Sequence, residues 1–207
     1  MTLQWPSDWR QRPFRGWWRA LVWLLVLSPL WANAPGLVRG GLGPNPAAQV
    51  LALTGGWATQ ALGVVLLLTP LQRGFAWTGL ASIRRLLGVS AFFYSALHAA
   101  AYVSFDQGFD WVAILRDGLE RPMIAIGWGA TIIMAAMALT SNQWSMQRLG
   151  GKRWKQLHRW VYLAALLVWL HLYWVHSGKQ TWEEVIWYGL WFGVAVALRL
   201  VKRRNAP

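Results

Sequence analysis

Six apolar runs of membrane-crossing length constrain this chain more than any other feature. They fall at about 17–34, 47–68, 84–104, 122–140, 155–175 and 183–201, and each reaches the roughly 17–25 residues that a helix needs to cross a hydrocarbon layer. Inside that layer every backbone polar group must be satisfied within its own segment, so runs of this kind become helices. The sequence therefore predicts an all-α integral membrane bundle of six transmembrane helices, one domain over 1–207. Pro29 interrupts the first run and glycines enter the second and third, which transmembrane helices tolerate. The first run does not read as a cleavable signal, because five more spans follow it and no clear small-residue cleavage site ends it. The longest connections, about 34–46, 69–83, 105–121 and 141–154, leave no soluble domain of useful size.

Charge is scarce, 13% of residues against 56% hydrophobic, so its placement is informative. The net charge of +13 would point to nucleic acid in a soluble protein. Here the basic residues sit between apolar runs, and the membrane reading wins. Sixteen of the 20 basic residues collect on one side: Arg10, Arg12, Arg15 and Arg19, then Arg73, Arg84 and Arg85, then Arg148 to Arg159, and Arg199 to Arg204. The other side holds Arg39, Arg116, Arg121 and Lys179 with six of the seven acids. The positive-inside rule then puts both termini in the cytoplasm, as an even number of spans also requires. The basic blocks read as topology signals in contact with anionic lipid headgroups. Many of the 18 tryptophans flank the runs, among them Trp17, Trp18, Trp31, Trp154, Trp174 and Trp182, as in an interfacial aromatic belt.

The absence of cysteine excludes disulfides, iron–sulfur clusters and covalent CxxCH haem attachment. No GxGxxG or Walker sequence is present, and the glycines at 40–43 and 55–56 read as loop and close helix packing. Four histidines remain, His98, His158, His171 and His176, three of them within spans, where an imidazole is expensive and usually has a task. His98 lies 14 residues after Arg84 and His171 lies 16 after Lys155, so both sit about 21–24 Å along parallel helices. Two imidazoles at one depth suit the two axial ligands of a b-type haem, or a hydrogen bond between helices. His158 precedes His171 by 13 residues, about 20 Å, but an ideal helix would leave the side chains roughly 140° apart, so a bulge, kink or tilt is needed. It is a candidate for a second, inner haem or an interfacial residue beside Trp154, Lys155 and Arg159. The equivalent position on the third helix is Arg84, a poor iron ligand but a good partner for a propionate or phosphate. His176, at the outer end of its helix, reads as solvated. Asp106, Asp110, Asp117 and Glu120 read as a solvated outer loop, and Met123, Met134 and Met137 as packing residues.

The run Arg84-Arg85-Leu86-Leu87-Gly88 with Phe92-Phe93-Tyr94 and Leu97-His98 resembles the third helix of the MsrQ (YedZ) family. Leu149-Gly150, Trp154, Leu157-His158-Arg159, Tyr162 and Leu170-His171 are similar to its fifth. Leu53-Thr54-Gly55-Gly56-Trp57, Thr69-Pro70-Leu71, Arg121-Pro122 and Ala138-Leu139-Thr140-Ser141 also fit, so the resemblance covers about 47–175. It implies a ferric-reductase-like subunit of the bacterial inner membrane that carries b haem, one or two, and passes electrons from membrane quinones, with FMN as a further cofactor. The implied acceptor is the periplasmic molybdopterin enzyme MsrP, which reduces methionine sulfoxide in oxidised proteins. By position, His98 and His171 hold one haem and His158 is the candidate for another. Two-haem relatives carry histidine where this chain has Arg84. The rivals are a stand-alone ferric or cytochrome b561-like reductase and a transporter with histidine proton relays.

Overall fold

The computed structural model describes residues 17–41, 43–76, 78–178 and 180–204, without the side chains at 37, 73, 78 and 200–204. Arg10, Arg12, Arg15 and Lys179, and the side chains of Arg73, Lys202, Arg203 and Arg204, therefore lie outside the described residues. Eight α-helices follow one another, and no strand occurs among the described residues. They are α1 (Trp17–Arg39), α2 (Pro46–Gly74), α3 (Ala81–Ala101), α4 (Trp111–Glu120), α5 (Pro122–Leu139), α6 (Gln143–Leu157), α7 (Val161–Ser177) and α8 (Glu183–Arg204). Among the described residues, four helical stretches are long and apolar enough to cross a membrane: Pro46–Gln72, Ala81–Asp106, Pro122–Leu139 and Gln143–Ser177. The chain is a multi-pass membrane protein.

Local sequence fixes the boundaries. Asn45 caps α2 by accepting from the Ala48 N–H at 3.0 Å, and Pro46 occupies the first turn, where its missing donor costs nothing. Asp110 caps α4 through Val112 and Ala113, and Asn142 caps α6 through Ser145. α2 packs most extensively on α3, and α5 on α7; α3 against α5 and α2 against α8 complete the bundle. Its core joins Leu62, Leu66, Ala91, Met134, Ala164, Ala165, Tyr188 and Phe192. The alanines keep the centre of the bundle narrow in side-chain volume, which lets helices or a flat group approach closely. α1 is tied on by the Tyr94 hydroxyl, which donates to the Val26 carbonyl.

Two connections expected as loops contain helices. The stretch 105–121 holds α4, whose Trp111, Val112, Leu115 and Leu119 form an exposed apolar stripe while Ile114 is buried. That pattern suits a helix lying in the membrane interface. The stretch 141–154 holds α6, broken at Gly150, where φ of +74° needs a residue without Cβ. Periodicity alone missed both, because each is short and polar on one side.

Candidate functional site

His98 lies in the last turn of α3 and His171 lies in α7, and the structure brings them together with ring centres 6.1 Å apart and planes at 87°. Their surroundings repeat. His98 Nδ1 is 2.9 Å from the Leu51 carbonyl oxygen, and a Cβ placed on Gly55 would stand 3.0 Å from that same nitrogen. His171 Nδ1 is 2.8 Å from the Met123 carbonyl oxygen, and a Cβ on Gly127 would stand 3.1 Å from it. In each half, a glycine four residues beyond a helical carbonyl lets the imidazole of the next long helix lie against the backbone. α2 thus cradles the ring of α3, and α5 that of α7. Gly55 performs this within a helix, whereas the neighbouring Gly56 meets nothing within 4 Å.

The carbonyls decide the chemistry of the rings. A carbonyl oxygen only accepts, so each Nδ1 carries the proton and each Nε2 keeps its lone pair. That is the state in which imidazole ligates a metal, with its other nitrogen oriented by an outer-shell acceptor. Geometry agrees. The ring centres are 6.1 Å apart, close enough that the two imidazoles would be able to hold one metal ion between them. Thr54 Oγ1 lies 3.5 Å from His98 Nδ1, and Ser95 and Thr131 join α3 to α5 at 2.8 Å. Among the described residues, no group of three or more His, Cys, Asp or Glu side chains forms a metal site; two imidazoles suffice only for a metal whose other ligands come with it.

His158 opens a three-residue 3-10 turn, His158–Trp160, between α6 and α7. Three residues wound at about 120° instead of 100° would narrow its ideal angle to His171 from about 140° to about 80°. His158 stacks on Trp154 at 3.9 Å; its Nδ1 is 3.2 Å from the Trp154 carbonyl oxygen and its Nε2 3.3 Å from Ser141 Oγ. Trp154 is itself held by donating to the Thr140 carbonyl at 2.9 Å. Arg84 and His158 line one cavity of about 420 Å³ at the basic end, and Arg84 Nη1 donates to Thr69 Oγ1 at 3.5 Å.

Three expectations are corrected. His176 is not solvated: its side chain is 15% exposed, with Nδ1 2.8 Å from Thr181 Oγ1 and Nε2 3.4 Å from Glu184, which ties the end of α7 to the start of α8. Asp117 is no free loop acid, since it accepts from Tyr102 and Gln107 and pairs with Arg121. Arg199, grouped by sequence with the topology signals, is buried inside the bundle. Gly55 and Gly127 were missed as site residues. The signal available was a glycine on the helix preceding each histidine-bearing helix, at matching depth.

Residues 54–169 match the family model described as ferric reductase like transmembrane component. The chain is 36% identical to the protein-methionine-sulfoxide reductase heme-binding subunit MsrQ of Herminiimonas arsenicoxydans over 88% of this chain and 84% of that protein. It is 41% identical to the MsrQ subunit of Bordetella pertussis over 80% and 82%. This chain belongs to the MsrQ family. The Ralstonia nicotianae MsrQ subunit is 37% identical over 88% of this chain. No solved structure matches it. Gly55, Arg84, His98, Met123, Gly127 and His158 lie within residues 54–169, and Leu51 and His171 fall just outside that span.

Proposed function

We propose that this chain is a b-type haem membrane subunit that passes electrons from the quinone pool to a periplasmic molybdopterin methionine sulfoxide reductase, MsrP. The observation that carries the reading is the His98–His171 pair, two imidazoles with ring centres 6.1 Å apart and each Nδ1 within hydrogen-bond distance of a carbonyl oxygen. The relatives are named heme-binding subunits of a protein-methionine-sulfoxide reductase. A bound haem would supply reversible one-electron storage at its iron. The chain's own part would be to hold it: His98 and His171 would ligate the iron, Gly55 and Gly127 would back their rings, and the Leu51 and Met123 carbonyls would accept from the Nδ1 protons and strengthen the ligands. His158 is the candidate ligand of a second haem, with Arg84 as partner for an anionic substituent. FMN is a further cofactor implied by the family resemblance.

Orientation belongs to the same proposal. α1, of 23 residues, and α8, of 22, have the length to span at about 1.5 Å per residue. With them the bundle has six spans, and the basic excess sets both termini in the cytoplasm of a bacterial inner membrane. The His98–His171 pair then lies toward the periplasm, beneath α4 and the α7–α8 connection, where a partner protein would dock on 105–121 and 176–182. Asp106, Glu120 and Glu183 remain to steer a basic partner surface; Asp110, Asp117 and Glu184 have partners within the chain.

The test mixes reduced protein with purified MsrP and follows haem oxidation after adding a methionine sulfoxide substrate. Rapid oxidation only when partner and substrate are both present is expected. Haem that stays reduced under those conditions, yet is oxidised at once by ferric chelates, would support a stand-alone ferric reductase instead.

A further inference from the structure

Arg199 of α8 has 9% of its surface exposed and no carboxylate partner among the described residues. Its Nη1 donates to the Tyr162 hydroxyl at 3.1 Å, and its Nη2 to the Val65 carbonyl at 3.1 Å and to Thr69 Oγ1 at 3.0 Å. Its Cζ lies 5.3 Å from the centre of the Tyr162 ring. Its Nε is buried with no hydrogen-bond partner. These contacts fix the plane of the guanidinium, but all of them are neutral. A buried charge held only by neutral groups keeps most of its desolvation cost.

The cavity that Arg199 lines explains the arrangement. Arg84, Arg85, Arg199 and His158 lie on its wall, and no Asp or Glu does. Thr69 Oγ1 accepts from both Arg84 and Arg199, so two guanidiniums from α3 and α8 meet at one hydroxyl of α2. Like charges converge in this way when an anion lies between them, and a planar guanidinium is shaped for the oxygens of a carboxylate or phosphate. Apart from Ser141, Asn142 and Gln143, the remaining wall, including Leu62, Val65, Ala91, Met134, Met137 and Val161, is mostly apolar and suits a flat conjugated body. A free inorganic anion would leave that wall bare.

We propose that Arg199, with Arg84 and through their shared Thr69, anchors the anionic group of a planar cofactor in this cavity. The inference rests on the reading of the chain as a cofactor-carrying electron-transfer subunit. The anionic group is either the propionate of a haem held by His158 or the phosphate of a flavin mononucleotide, and the two sources separate by experiment.

Full-length wild type, Arg199→Gln and Arg199→Lys would be purified in detergent and compared for haem per chain, flavin per chain, and binding of added FMN and riboflavin by fluorescence quenching. The His98–His171 low-spin spectrum serves as the control for folding. Loss of one charged hydrogen-bonding group should weaken the anchored ligand about tenfold or more, while lysine, which keeps the charge, should restore part of it. If the source is flavin, riboflavin should bind wild type as weakly as FMN binds Arg199→Gln, with haem content unchanged. If it is haem, the glutamine variant should lose the second haem alone, and haem dimethyl ester should fail to fill that site in wild-type apoprotein. The wild-type comparisons decide the matter even where the variant does not fold. Riboflavin binding as tightly as FMN, together with dimethyl ester filling every site that haem fills, would overturn the proposal. So would a folded glutamine variant with wild-type haem, flavin and FMN affinity. A wild-type protein devoid of haem would refute the electron-transfer reading instead, and leaves the FMN comparison standing.

Discussion

Replacing Gly127 by alanine should perturb the proposed haem site without replacing His98 or His171. The new methyl would stand 3.1 Å from His171 Nδ1 and 3.2 Å from its Cε1, inside ordinary contact. Relief to about 3.6 Å requires the ring to move by roughly half an ångström. The Nδ1–Met123 distance of 2.8 Å would then lengthen beyond good hydrogen-bond range. A hydrogen bond of this kind contributes about 0.5–1.5 kcal/mol, so haem affinity should fall about 2- to 10-fold. The bond also makes the imidazole a stronger donor that favours ferric iron. Weakening it should raise the midpoint potential, by about 20–60 mV if all of that energy appears in the redox couple. Potentiometric titration of the α-band measures this. Gly55→Ala, whose methyl would stand 3.0 Å from His98 Nδ1, should behave alike. Gly56→Ala, with open space around it, should leave the potential unchanged. A Gly127→Ala protein with wild-type haem content and potential, or a Gly56→Ala protein shifted as far as the others, would refute the cradle.

His158→Ala should reduce haem content or electron throughput while the His98–His171 spectrum stays intact; unchanged stoichiometry and rate would make His158 merely interfacial. Tyr94→Phe removes the hydroxyl that ties α3 to the Val26 carbonyl, and should cost about 0.5–1.5 kcal/mol for the lost hydrogen bond. Thermal unfolding measures it, with cofactor content unaltered. His176→Ala should keep all haem but loosen the junction of α7 and α8, seen as faster proteolysis near 177–183. Asp117→Asn should weaken its pairing with Arg121 and slow oxidation by MsrP while leaving reduction by dithionite unchanged; an unaffected MsrP rate would remove 105–121 from the docking surface.

The long helices and the His98–His171 pair were legible because each rests on a strong local signal. Apolar length specifies a span, and an imidazole within one has few bland explanations. The residues around the pair were not legible, since a carbonyl at Leu51 or Met123 has no sequence mark and glycine also serves turns and helix contacts. The 3-10 turn at His158–Trp160 carries no mark in the apolar pattern of the fifth run. Arg199 was misread for a physical reason. A charge near the end of an apolar run usually snorkels to the interface, and only tertiary packing of α8 against α2 takes it inside. α4 and α6 escaped because their polar faces hide them in a search for continuous apolarity.

The low-spin ferric signal of purified protein in electron paramagnetic resonance, compared with His98→Ala and His171→Ala, tests the central claim most directly. The account predicts a bis-imidazole haem in wild type, with the highly anisotropic signal of ligand planes near the observed 87°, and loss of that signal in either variant. An unchanged low-spin signal in both variants, or no haem signal in wild type, would contradict it.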